Sequence, residues 1–365
     1  MLSIGISDWG VRMDKKLIAL AVTIVIIAAG LAAALVLTQG PAEPTVRVGF
    51  IAGDIHHLPY AVANDLEIGD GTSMFKIQGL NVTGKAYANG GAIMQTGFKN
   101  KEIDIAYLGA APAISQHLNL GKSSIDTVIV AQVNEEGSLL VADPTIDSAS
   151  DLVGKRVATP GPATIQYLLL KMYLNASGIN PSDVDIIDLG AGLMRTYMEK
   201  SLTDSDHISA FIVWEPVGAD VVEAGVGHVL ATSHDIWPHH PCCVIAVDRS
   251  FAEANPNIVK KFLSAHKDAI DWINAAEESS TSAEYAQLIT TAKDFTAKND
   301  SVVGSALTRV SYSYNLTEIF NDSVITFTEN LIAFGIVQEV ALTSNGNTYS
   351  SIEDFAEKYV DDQYL

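Results

Sequence analysis

From residue 46 onward the chain alternates between strand-like and helix-like runs, and this alternation limits the folds open to it more than any other feature. A strand, a helix and a further strand need a crossover connection, so repeated units of this kind build parallel sheets covered by helices. The first set has strand patterns at 46–51 (VRVGFI), 80–87, 103–108 (IDIAYL), 127–132 and 139–142, with helix patterns at 58–66, 92–98 and 110–118. A second set begins near Asp151, where LVGKRVATP reads as a turn, a strand and a stop. The helix pattern at 163–174 follows, with Ile165, Leu168, Leu169 and Met172 at helical spacing. Strands at 184–189, 208–213 and 244–247 and helices at 194–202 and 216–224 complete this set. The chain then turns helical at 256–275 and again at 317–334, the latter ending on Gly335. Two such sheets imply two lobes with a cleft between them. Ligands in open α/β sheets sit at the carboxyl ends of strands, where helix N-termini point.

Residues 17–37 (LIALAVTIVIIAAGLAAALVL) carry no charge and are long enough to cross the ~30 Å core of a bilayer. Arg12, Lys15 and Lys16 precede the run, and residues 38–45 (TQGPAEPT) contain no basic residue. The positive-inside rule therefore places 1–16 in the cytoplasm and everything after 37 outside, with 17–37 a transmembrane anchor or a cleaved signal segment. Residues 38–45, with two prolines, read as a short linker. No cysteine stands at the end of the run, which excludes lipid attachment of the bacterial lipoprotein kind, and no second run approaches membrane length, which excludes a permease. A net charge of −21 argues against nucleic acid, whose binding depends on basic residues. The two cysteines, Cys242 and Cys243, are adjacent, closer than ordinary disulfide geometry allows, and are expected as free thiols at the start of a strand. Sequons at Asn81, Asn175, Asn299, Asn315 and Asn321 are compatible with an outside location.

Five strand-to-helix turns could carry chemistry: residues 53–59 (GDIHHLP), 89–91 (NGG), 109–112 (GAAP), 159–164 (TPGPAT) and 214–216 (WEP). Their glycines let backbone N–H groups come close to a ligand. Taken in order, VRVGFI…HHLPYAVAND, GLNVTGKAYANGG, FKNKEIDIAYLGAAPAI, SASDLVGKRVATPGPAT, ISAFIVWEP and CCVIAVDRSFAEANPNIVKKFL resemble the substrate-binding proteins of nitrate/sulfonate/taurine-type ABC importers, a group that includes binders of thiamine-pyrimidine precursors. The resemblance fades after Glu277. It implies a two-lobed type II periplasmic-binding-protein fold: lobe 1 from 46–135 plus 245–365, lobe 2 from 136–244, with crossings near 136–143 and 243–248. It also implies a permease and an ATPase as partners and no cofactor. Carried over by position, the cleft is expected to be lined by His56, His57, Gly90, Gly91, Gly109, Ala110, Thr164, Trp214 and Glu215, with His240 contributed from 237–242.

None of these turns holds Lys or Arg. An oxyanion would then rest on helix N-termini and a protonated histidine, whereas a pyrimidine-type ligand would stack on Trp214. Trp214 has a packing role as its alternative, and Glu215 that of a carboxylate in the first turn of a helix. The pairs His56–His57 and His239–His240, the latter beside Cys242 and Cys243, also raise a metal site. Neighbours in an extended segment point opposite ways, so packed thiols and turn histidines are the expectation, with no metal. The chain has no G-x-S-x-G, Walker or H-E-x-x-H motif, so a binder is expected rather than an enzyme, with a metal-binding or small-molecule enzyme on the same fold and a tethered sensor as the alternatives.

Overall fold

The structure, a computed structural model, describes residues 43–68 and 71–365. The expected cytoplasmic segment, the anchor and most of the linker lie outside the described residues. Among the described residues no helix is long and apolar enough to cross a membrane.

Residues from Pro44 to Leu365 form one unit containing two large sheets. The strands are β1 (Thr45–Ile51), β2 (Asn81–Tyr87), β3 (Ile105–Gly109), β4 (Thr127–Glu136), β5 (Ser138–Ala142), β6 (Arg156–Thr159), β7 (Asp185–Asp188), β8 (Ala210–Trp214), β9 (His228–Thr232), β10 (Pro241–Asp248) and β11 (Val310–Tyr312). The first sheet has six strands in the order β11-β4-β10-β3-β1-β2, and the second has five in the order β9-β5-β8-β6-β7. A two-stranded hairpin, Glu67–Ile68 with Thr72–Ser73, stands apart from both.

The sheets are mixed rather than wholly parallel. β1 pairs parallel with β2 and β3 as the crossover argument requires, but β10 runs antiparallel to both β3 and β4. In the second sheet β5 runs antiparallel to β8 and β9. The reversals arise where the chain passes between sheets. The first passage is a single residue, Gly137, between β4 and β5. The return occupies residues 233–240, earlier than the expected 243–248, which lie within β10 of the first sheet.

Packing follows the apolar patterns. In β1 the inward Val46 and Val48 are fully buried while Thr45 and Arg47 face out. Phe262, Ile270 and Ile273 of the helix Pro256–Glu277 are buried in the main core, and a proline at the first helical position starts that helix. Leu139, Val141, Phe211 and Val213 build a second, smaller core around the five-stranded sheet.

Candidate functional site

A cavity of ≈ 150 Å³ opens between the two sheets. From the first sheet it is lined by the ends of β1 and β3 and by the turns that follow β1 and β2: Ile51, Asp54, His56, Asn89, Gly90, Gly91 and Gly109, with Pro112, Gln116 and Cys243. From the second come residues 160–166 and Trp214. Helical segments begin at Gly90 and Ile165, both on its walls, and at Ala110, next to Gly109 of the lining, so three helix starts with their partial positive charge border one space. Asn89 caps the first of these through Ala92 N–H at 2.8 Å, and Thr164 caps the third through Tyr167 N–H. Gly109 has no side chain with which to cap the helix Ala110–Leu120, so no side chain covers the first N–H groups of that helix. A β-carbon at Gly90 would lie 2.7 Å from Pro112 Cγ, so only glycine fits there.

Asp54 and His56 share the short turn after β1. The Asp54 carboxylate accepts from His56 N–H at 3.0 Å. His56 Nε2 hydrogen-bonds the Gly137 carbonyl at 2.9 Å, which ties this turn to the passage between sheets. The other ring nitrogen, Nδ1, stands 3.6 Å from Cys242 Sγ, 3.9 Å from Cys243 Sγ and 3.3 Å from Asp54 Oδ1. Burial opposes charge on His56, but the Cys242 sulfur and the Asp54 carboxylate more than offset it, raising the pKa to about 9. Burial raises Asp54 to about 7, with His56 pulling the other way. Cys242 is held well below the ordinary thiol value by a hydrogen bond from Cys243 and by the His56 charge, and burial pushes Cys243 well above it.

Of the residues expected at the cleft, His56, Gly90, Gly91, Gly109, Thr164 and Trp214 line it. His57, Ala110, Glu215 and His240 do not, and each is turned to other work. His57 Nδ1 accepts from Ile51 N–H at 3.0 Å, and its ring packs beside Tyr107. Ala110 is the fully buried first residue of its helix. Glu215 is fully buried and binds Arg309 Nη1 at 2.9 Å and Ala219 N–H at 2.8 Å. His240 Nδ1 contacts the Trp237 carbonyl, and burial lowers its pKa. Trp214 is half-buried, packing on both cores and facing the cavity. The sequence reading missed Asp54, Asn89, Gln116, Gln166 and Cys243. Asp54 and Asn89 sit inside turns already singled out, whereas Gln116, two turns along its helix, carries no local signal.

A model described as the NMT1-like family matches residues 39–290. Among curated proteins, the chain is 28% identical over 239 residues to the nitrate import ATP-binding protein NrtC of Synechococcus elongatus, covering 61% of this chain and 34% of that protein. It is 29% identical over 199 residues to the taurine-binding periplasmic protein of Escherichia coli, covering 53% and 58%. The chain thus spans less than two thirds of the length of either. Among solved structures, the alkanesulfonate-binding protein SsuA of Xanthomonas axonopodis pv. citri, bound to MOPS, aligns with a TM-score of 0.67 at 16% identity over 82% of this chain and 96% of that one. The periplasmic nitrate-binding protein NrtA of Synechocystis PCC 6803 aligns with a TM-score of 0.70 at 15% identity over 89% and 88%. At these identities the likeness is one of fold, a two-lobed periplasmic-binding-protein fold. The binding proteins among these relatives agree with a binder rather than an enzyme.

Proposed function

The chain belongs to the NMT1-like family, and from that premise we propose that it is the extracytoplasmic solute-binding component of an ABC importer. It captures a small oxyanion-bearing solute of the nitrate, sulfonate or taurine kind between its lobes. The observation that carries this reading is the small cavity between two sheets on which three helix starts converge. Backbone dipoles of this kind hold an anion without a basic side chain, which answers the lack of Lys or Arg along the lining. At ≈ 150 Å³ the space is about that of a cavity that takes one benzene ring. Closure of the lobes about residues 137 and 233–240 would present the loaded form to a permease driven by an ATPase. The apolar run at 17–37 supports tethering at the membrane, which would raise the effective concentration of the binder near that permease.

The test is titration of nitrate, taurine and a short alkanesulfonate into the full chain, followed by thermal unfolding. A true ligand at about 100 times its Kd adds roughly 2.7 kcal/mol to stability. Trp214→Ala should weaken binding of that ligand by about 1 kcal/mol or more with the fold retained. No stabilisation by any of the three, or unaltered affinity in the variant, counts against the reading.

A further inference from the structure

Side chains of consecutive strand residues ordinarily point to opposite faces, yet the sulfurs of Cys242 and Cys243 both approach His56 Nδ1. The cause is local. The pairing of β10 with β4 shifts register on both sides of Cys243, between Pro241 and Cys243 and again between Cys243 and Val244. Bulges of this kind re-aim side chains. All three residues are buried, and their ligand atoms lie within 4.8 Å of one another.

The distances suit a metal ion. A tetrahedral zinc with Zn–S of about 2.3 Å and Zn–N of about 2.0–2.1 Å needs N···S separations of about 3.6 Å. His56 Nδ1 stands 3.6 Å and 3.9 Å from the two sulfurs. Its other ring nitrogen is held by the Gly137 carbonyl at 2.9 Å, the second interaction by which metal-bound imidazoles are oriented. A bare charge is costly in a buried place, but two thiolates neutralise a dication and the assembled site carries no net charge.

We propose that His56 Nδ1, Cys242 Sγ and Cys243 Sγ form a binding site for one thiophilic divalent cation of the zinc–cadmium class, on the floor of the cleft. Two of the three ligands, His56 and Cys243, also line the cavity, and three protein ligands leave a fourth position. A donor atom of a captured solute can occupy it. The metal site stands on these side chains alone, and only its service to a solute rests on the function proposed above.

The experiment is titration of the reduced full chain with cadmium, following the ultraviolet thiolate-to-cadmium charge-transfer band and metal content per chain. One ion per chain with that band is expected. Cys243→Ser should shrink the band and weaken binding by more than the roughly 10–100-fold that an outer-shell change produces. Gly137→Ala, whose added β-carbon crowds His56 Nε2 and leaves both sulfurs, disturbs the outer contact of the histidine and should weaken binding by about 10–100-fold with the band kept. Absence of the band in the wild-type chain overturns the site, as does equal affinity in wild type, Cys243→Ser and His56→Ala. Repeating the solute titration with and without cadmium separates the two readings. Solute binding without metal uptake refutes the metal site and keeps the importer function. Metal uptake with no solute bound in either state does the reverse. Equal solute affinity in both states refutes coupling through the fourth position.

Discussion

Replacing Arg309 by Ala examines what holds the passage between the sheets together. Arg309 Nη1 donates to Glu215 Oε1 at 2.9 Å and to the Ser305 carbonyl and hydroxyl, both at 3.0 Å. The Glu215 side chain has 0% exposure, its N–H donates to the Gly137 carbonyl at 2.9 Å, and its own carbonyl accepts from Ile55 N–H at 3.3 Å. Burial already raises its carboxyl pKa, while Ala219 N–H, Arg309 and the His56 charge work to lower it. Without Arg309 the carboxylate keeps one hydrogen bond, from Ala219 N–H, and stripping the partner from a buried charge costs about 3–5 kcal/mol. Protonation limits that loss. Taking up a proton at pH 7 from the ordinary value of 4.5 costs at most about 3.4 kcal/mol at 1.36 kcal/mol per unit. Arg309 is itself 24% exposed, so a loss of about 2–3 kcal/mol at neutral pH is expected. The sign with pH is fixed by the same argument. The variant raises the folded-state pKa of an acid still further, so the penalty is small below the wild-type folded value, itself above 4.5, and grows as pH rises through it. Urea unfolding of both chains at pH 4.5 and pH 7.5 measures this. A deficit under about 0.5 kcal/mol at pH 7.5, well below the range for a buried pair, or one equal at the two pH values, would refute the assignment of Glu215 to an internal ion pair.

Two further outcomes follow from buried geometry. A β-carbon at Gly137 would lie 2.1 Å from His56 Nε2 and 2.8 Å from Val310 Cγ2, at a φ of +85°. Gly137→Ala should therefore destabilise by roughly 2–4 kcal/mol through strain and overpacking, and an unchanged urea midpoint would remove Gly137 from any role in placing His56. His117 and His266 are buried in neutral form: burial, joined by Lys122 and Arg249 at His117 and partly opposed by the Gln132 carbonyl at His266, lowers them to about 3 and about 4. Their tyrosine partners are Tyr349 and Tyr107. Both folded values lie below the ordinary 6.5, so their contribution is complete above that pH and is lost on acidification, by up to about 1.4 kcal/mol per pH unit for each. Asp54 and Glu277, raised by burial to about 7, take up protons over the same range and work the other way, so the check is a variant: a stability deficit of His117→Phe that is equal at pH 7 and pH 5 would contradict this loss.

The strands were legible wherever apolar residues ran in short, bounded groups. Expected segments at 46–51, 80–87, 127–132 and 139–142 overlap β1, β2, β4 and β5. The helix expected at 317–334 overlaps Glu318–Ala333, whose start is capped by Thr317. β9 and β11 were not legible: β9 is a half-buried edge strand with a register shift, and β11 has three residues. The helices Ala283–Thr296 and Ile352–Tyr359 were missed as well. At the candidate site, small residues and their order pointed to turns that line the cavity. Which member of an adjacent pair faces the cavity depends on φ and ψ at single residues, and His57, Ala110 and Glu215, each next to a lining residue, turn away for that reason.

Sequence alone thus determined the class of fold, because strand and helix periods alternate and a crossover connection admits few arrangements. It also located the cleft turns, since helix starts beside strand ends need small residues. The tertiary structure alone decided that Cys242 and Cys243 face one histidine, that Glu215 pairs with Arg309 across 94 residues of chain, and that both sheets are mixed. These depend on register and on contacts between segments far apart in sequence, and a periodic pattern carries no information about either.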